Sequence, residues 1–180
     1  AVLQHSAAIA RHLDSSETSV LRAALKALTS SPEAVLQHSA AIARRLDSSE
    51  TFVIDECRDA ALEALASSPE AVLQHSAAIA RHLDSSETFV IDECRDAALK
   101  ALTSSPEAVL QHSAAIARRL DSSETFVIDE CRDAALEALA SSPEAVLQHS
   151  AAIARHLDSS ETSVLRAALK ALTSSPEAVL

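Results

Sequence analysis

Ser31–Ser68 reads SPEAVLQHSAAIARRLDSSETFVIDECRDAALEALASS, and close variants of it fill the chain. Ser31-Pro32-Glu33 has the form of a helix start. A serine accepts from the free amides of the first turn, proline suits the first helical position, and glutamate complements the positive helix end. From there Val35, Leu36, Ser39, Ile42, Ala43 and Leu46 share one face at about 100° per residue, with Gln37, Ala41 and Arg44 opposite. Arg44 and Arg45 close the helix where positive charge is favoured. Asp47-Ser48-Ser49-Glu50 is a polar turn, in which Asp47 and Glu50 stand in the spacing of a capping box. A second helix is expected from about Glu50 to Leu65. Val53, Ile54, Cys57, Ala60, Ala61, Ala64 and Leu65 form its apolar face; Asp55, Glu56, Asp59 and Glu63 gather on the other side.

The phrase AVLQHS recurs at Ala1, Ala34, Ala71, Ala108 and Ala145. It divides residues 1–180 into one tandem array with units at 1–33, 34–70, 71–107, 108–144 and 145–177, and the start of another at 178–180. Repeats of this length, each a helix pair, are the signature of an α-solenoid, because one pair cannot bury its own apolar face and must stack on its neighbours. The three central units are four residues longer than the outer two. Four residues are about 1.1 helical turns, so the apolar stripe keeps its register while the second helix lengthens by about 6 Å. The copies also alternate, RHL with LKALTS and RRL with LEALAS.

Composition agrees with stacked helices. The 180 residues are 48% hydrophobic and contain no Gly, Met, Trp or Tyr. Without glycine the short connections fall to Ser, Asp and Pro, and alanine and leucine favour close helix packing. A net charge of −11 opposes binding to phosphate backbones. No run is long enough to cross a membrane, and no signal peptide is visible. The three cysteines, one per long unit, fit a reduced, cytoplasmic setting or a recombinant chain with no native compartment.

Residues 145–180 repeat residues 1–36 letter for letter. Such near-identity fits consensus design or recent amplification of one unit. Neither terminal unit carries a polar capping pattern, and exposed apolar end faces are normally capped. Three arrangements answer this: a window from a longer array, head-to-tail stacking of copies, or closure into a ring.

The unit resembles a HEAT repeat, of the HEAT/armadillo class. The proline-led first helix SPEAVLQHSAAIARRL, the turn LDSSE and the second helix of VLRAALKAL type carry the resemblance. It implies a right-handed α-solenoid of five stacked antiparallel helix pairs, with second helices that bind protein partners and with catalysis rare. The family pattern has Arg directly after the Val of the second helix, whereas here Leu21 separates Val20 from Arg22, and the FVIDECRD insertion has no counterpart in it.

The clearest candidate surface is acidic: Asp55, Glu56, Asp59 and Glu63, then Asp92, Glu93 and Asp96, then Asp129, Glu130, Asp133 and Glu137. With second helices side by side these carboxylates make one patch, moderated by Arg58, Arg95, Arg132 and Lys100. Like charges four apart cost a few tenths of a kcal/mol, so helix stability does not explain them. A basic peptide or protein, or loosely held divalent cations, would fit the patch, but a solvated face that keeps an alanine-rich chain soluble is the favoured reading. His5, His38, His75, His112 and His149, with His12, His82 and His156 seven residues on, flank the core stripe. A zinc site needs ligands within about 2 Å of the metal, while stacked helices lie about 8–10 Å apart, so these read as interfacial or surface side chains. Cys57, Cys94 and Cys131 read as small core residues. Phe52, Phe89 and Phe126 read as covers for the turn and the nearest aromatic anchor for a partner. Neighbouring Ser39 and His38 point about 100° apart on one helix, unsuited as nucleophile and base. The sequence therefore predicts a non-catalytic structural or binding scaffold, able to associate through its end faces, without cofactor or metal. The competing expectation is a recognition module for a basic ligand.

Overall fold

The computed structural model describes residues 2–47, 54–83, 91–121 and 128–179, with no side chain described at 54, 55, 91–93, 128–130 and 179. Among these residues the chain forms ten α-helices and no strand: α1 (Val2–Ala10), α2 (Thr18–Thr29), α3 (Pro32–Ala43), α4 (Ile54–Ala66), α5 (Pro69–Arg81), α6 (Ile91–Thr103), α7 (Pro106–Arg118), α8 (Ile128–Ala140), α9 (Pro143–Ala154) and α10 (Thr162–Ser174). Short 3-10 segments at Arg11–Asp14, Arg155–Asp158 and Pro176–Val179 complete the regular structure. No helix among the described residues is long and apolar enough to cross a membrane.

The Ser-Pro-Glu openings behave as the sequence predicts. Ser31, Ser68, Ser105 and Ser142 cap α3, α5, α7 and α9, each hydroxyl accepting from the amide three residues on at 3.4–3.5 Å, with proline in the first turn. The helices before them end without glycine. There the first serine of each Ser-Ser pair donates to a carbonyl of the last turn, as Ser67 does to Ala64 at 2.7 Å and Ser104 to Ala101 at 2.8 Å. A side-chain hydroxyl thus satisfies an end carbonyl that a left-handed glycine turn commonly would. The first helices finish in tightened turns, with Arg45 N–H donating to Ile42 and Leu46 N–H to Ala43.

The Asp-x-x-Glu box expected at Asp47 and Glu50 lies partly outside the described residues. Its counterparts in the outer units are not boxes: Glu17 and Glu161 occupy the N-cap positions of α2 and α10 without a side-chain cap bond. The serine two residues earlier accepts from their amides instead, at 3.1 and 3.2 Å.

Helix contacts run to the next helix in sequence and to the next but one. The odd-numbered helices α1, α3, α5, α7 and α9 form one row of contacts, and the even-numbered helices form another. A single apolar core threads between the rows. Val35, Ile42 and Leu46, and their counterparts Val72, Ile79, Leu83, Val109, Ile116 and Leu120, are fully buried from the first-helix side. Alanines 61, 64, 98, 101, 135 and 138 are fully buried between second helices, where a small side chain allows the axes to come close.

The expected faces are broadly those observed. Val35, Ser39, Ile42, Ala43, Leu46, Cys57, Ala61, Ala64 and Leu65 are buried, and Leu36 and Ala60 are half-buried. Leu62, absent from the expected apolar face, is also buried. It is enclosed because α4 packs on α2, α3, α5 and α6 together, so the apolar arc is wider than for a helix covered on one side. Ala41, placed on the polar side by the sequence, is half-buried against the core. Val53, most of the inserted residues and Phe52, Phe89 and Phe126 lie outside the described residues.

Replacing Ile79 by alanine is expected to cost about 2–5 kcal/mol, since it opens a cavity in a fully enclosed site. The same change at exposed Leu73 should cost less than about 1 kcal/mol. Urea unfolding monitored by circular dichroism checks the pair, and equal losses would contradict the assigned core.

Candidate functional site

Six of the eleven candidate carboxylates lie among the described side chains of the second helices, and the chain itself gives four of those six a partner. Glu56 on α4 pairs with Arg22 of α2. Asp59 accepts from the Cys94 thiol of α6 at 3.4 Å. Asp96 pairs with Lys100 one turn on at 2.5 Å, and Glu137 with Lys170 of α10 at 3.7 Å. Glu63 shares an open groove of about 650 Å³ with Arg22 and Lys26 across the α2–α4 boundary. Asp133 is half-buried. Burial and the neighbouring Glu137 push its carboxyl above the usual range, against the pull of Arg166 and Lys170. The hydrogen bond that Lys100 donates to Asp96, reinforced by the carboxylate's charge, holds the ammonium above its usual value. Asp55, Asp92, Glu93, Asp129 and Glu130 lie outside the described side chains.

Two rows emerge. The inner row, one residue per unit, is Arg22, Asp59, Asp96, Asp133 and Arg166. The outer row is Lys26, Glu63, Lys100, Glu137 and Lys170, all exposed and alternating in sign along the stack. The outer row follows from the LKAL/LEAL alternation visible in the sequence. Arg22, Lys26, Arg166 and Lys170 are not among the cations expected at the patch, because they belong to the shorter outer units; the structure sets Arg22 and Lys170 against carboxylates of the neighbouring central units. Of the cations it did name, Arg132 donates Nε to the Leu120 carbonyl at 3.2 Å, and Arg58 acts on His82. Both reach toward the far ends of the first helices.

Two further ladders join consecutive units on the first-helix side. Buried serines donate to the glutamine of the next unit: Ser6 to Gln37 and Ser76 to Gln111 at 3.4 Å, and Ser113 to Gln148 at 3.5 Å. Turn aspartates pair with arginines of the next unit: Asp14 with Arg45 at 2.5 Å, Asp47 with Arg81 at 3.0 Å and Asp121 with Arg155 at 2.9 Å. These exposed pairs contribute on the order of 0–1 kcal/mol each, so they define register more than stability. Ser39 is buried in the core stripe, which gives the AVLQHS serine a packing position.

The histidines divide by exposure. His5 and His12 are exposed, while His38, His75, His82, His112, His149 and His156 are half-buried. Burial lowers the pKa of His75, His82, His112, His149 and His156. Arg58 beside His82 and Arg132 beside His156 lower theirs further. The Nε2 atoms of His38, His75, His82, His149 and His156 are buried without a partner. At His75 and His149 the backbone leaves helical geometry, kinking α5 and α9. Among the described residues no group of three or more His, Cys, Asp or Glu is arranged to hold a metal ion. Cys57 and Cys94 are buried and Cys131 half-buried; burial pushes the Cys57 thiol up. A scan against protein-family models and a search of curated protein sequences each find no match to the chain.

The histidines give the fold an acid-sensitive side. Their folded-state pKa values lie below the ordinary 6.5, so the unfolded chain binds protons first on acidification. Their contribution to stability is fully present above that value and is lost as pH falls below it. The urea midpoint should therefore drop between about pH 7 and about pH 5, above the range where ordinary carboxylates titrate. Replacing His82 and His156 by glutamine should flatten that slope, and an unchanged slope would contradict the assignment.

Proposed function

We propose that the chain is a right-handed, HEAT-like α-solenoid of five helix pairs that serves as a non-catalytic structural and binding scaffold. On this reading it extends by end-on contact with further helix pairs, copies of itself among them. The regularity of its units comes from consensus design or amplification. The observation that carries the reading is the contact pattern: helices touch their sequence neighbours and next-but-one neighbours, and a serine–glutamine bond and an aspartate–arginine pair each recur at three of the four unit boundaries. An arrangement built from one repeated boundary offers long faces to other proteins.

The second reading is a recognition module for a basic peptide on the second helices. It draws support from half-buried Asp59, Asp96 and Asp133, one per central unit. The matching of Glu56, Asp96 and Glu137 by Arg22, Lys100 and Lys170 weighs against it, because a basic ligand would have to displace cations already in place. Calorimetric titration with oligolysine at low salt separates the two. The scaffold reading expects no saturable binding. Saturable binding that disappears in the Asp59→Ala, Asp96→Ala, Asp133→Ala variant would replace it with the recognition module.

A further inference from the structure

The alternation of RHL and RRL at the ends of the first helices sorts the boundaries between units into two kinds. At the first boundary, between units 1 and 2, Asp14 pairs with Arg45, the second arginine of RRL, at 2.5 Å. At the second and fourth boundaries histidine holds that place. There Asp47 and Asp121 pair instead with the preceding Arg81 and Arg155, at 3.0 and 2.9 Å. Each of these two aspartates gives both carboxylate oxygens to its arginine. His82 and His156 stand half-buried beside them, with Nε2 buried and without a partner. Backbone geometry follows the same alternation: α5 and α9 kink at His75 and His149, seven residues earlier, whereas α3 and α7 do not.

Each of these imidazoles lies among charges drawn from two units. His82 feels Arg58 of α4 and Asp47 after α3, both from the unit before, and Arg81 of its own helix. His156 feels Arg132 of α8, Asp121 after α7 and its own Arg155. Helices α6 and α7, also packed on α5, carry Arg95 and Arg119 in the equivalent places one unit on. Helix α10, packed on α9, has Leu165 in the arginine's place, and the 3-10 turn after it carries Glu177. A proton on His82 therefore arrives beside two guanidinium groups, and Asp47 is already held by Arg81. Burial and the arginines outweigh the aspartate at both histidines, so an opened boundary binds the proton more readily than a closed one. At the first and third boundaries Arg45 and Arg119 keep their charge throughout this pH range. The AVLQHS histidine recurs in every unit and does not tell one boundary from another.

We propose that the second and fourth boundaries are proton-operated hinges: charging His82 and His156 opens them, while the first and third, with arginine in the same place, stay shut. Acid then divides the array into blocks, units 1 and 2, units 3 and 4, and unit 5, without melting the helices inside a block. The inference rests on the stacked-pair reading above. It adds to the acid sensitivity of the whole fold a statement of where the fold gives way, and it gives the RHL/RRL alternation a physical consequence.

The cysteines of the full chain read single boundaries. The Cys94 thiol donates to Asp59 across the second boundary at 3.4 Å, and Cys57 and Cys131 hold the equivalent places at the first and third. Labelling with a pyridyl disulfide at about pH 7.5 and about pH 5.5, each rate divided by that of the urea-unfolded chain at the same pH, measures how often each boundary opens. Digestion after glutamate separates the Cys94 fragment, which runs on into LKAL, from the other two, which run on into LEAL. On acidification the corrected Cys94 rate should rise at least about threefold, with the LEAL fragments level. His82→Arg should abolish the rise, and Arg119→His should bring one to the LEAL fragments; both residues already occur at this place in the unit. Val164→Cys puts a thiol at the fourth boundary, where the same rise should appear and should vanish with His156→Arg. A level Cys94 rate, or a rise that survives His82→Arg, would overturn the hinge. Circular dichroism of the same samples keeps the two claims apart. Equal acceleration at all three cysteines with loss of helix signal would count against the stacked pairs themselves, whereas intact helices with level rates would overturn only the hinge.

Discussion

A helix pair of this composition cannot hide its apolar side within itself. Leu25, Leu62, Leu99 and Leu136 occupy the same place in successive second helices and are buried, while their counterpart Leu169, with no further helix upon it, is 49% exposed. The difference is not in the residue or its local helix but in the presence of a neighbour. Burial of a leucine side chain is worth about 1.5–3 kcal/mol, so each boundary contributes an appreciable part of the stability of a marginal fold. The core is continuous because the need for a neighbour is passed from one unit to the next.

Apolar contact of that kind is poorly directional. The polar ladders supply what it lacks. A buried serine donating to a glutamine one unit on, an aspartate meeting an arginine one unit on, and a lysine set against a glutamate across the second helices all occur at fixed places in the unit. Each exposed pair contributes little energy, but a slip of one residue along a helix would rotate its side chains by about 100° and break all three sets at once. Register is therefore specified on the faces while stability is supplied in the middle. The division also bears on how a strongly acidic chain carries an orderly surface: Arg22, Arg45, Arg81, Arg155 and Lys170 each meet a carboxylate of a neighbouring unit.

Much of the architecture was legible in the sequence because it is local. Ser31-Pro32-Glu33 caps a helix through its own three residues, and the spacing of Val35, Ile42 and Leu46 already marks a buried stripe. Leu62 was not legible in the same way, since its burial depends on α4 being packed on several sides. The charges that neighbouring units set against the candidate carboxylates were not legible either, for the same reason. Glu56, Glu63 and Glu137 look like members of an acidic patch when only the three long units are set side by side. Glu56 and Glu137 become halves of pairs between units with Arg22 and Lys170, and Glu63 lines a groove with Lys26. The Lys/Glu alternation was the available signal, and its meaning depends on which helices lie side by side. The outer turns also depart from the expected capping box: Ser15 and Ser159 bond the amides of Glu17 and Glu161 directly, a local competition between serine and acid that spacing alone does not decide.

The central claim is that every unit is held by its neighbours and by nothing further away. Native-state hydrogen exchange, followed unit by unit in the wild type and in a chain carrying Leu99→Ala, tests it most directly. A stack of this kind loses protection mainly in the helices touching α6, with less change in α1 and α10. An equal loss of protection at every helix, as from a single all-or-none globule, would contradict it.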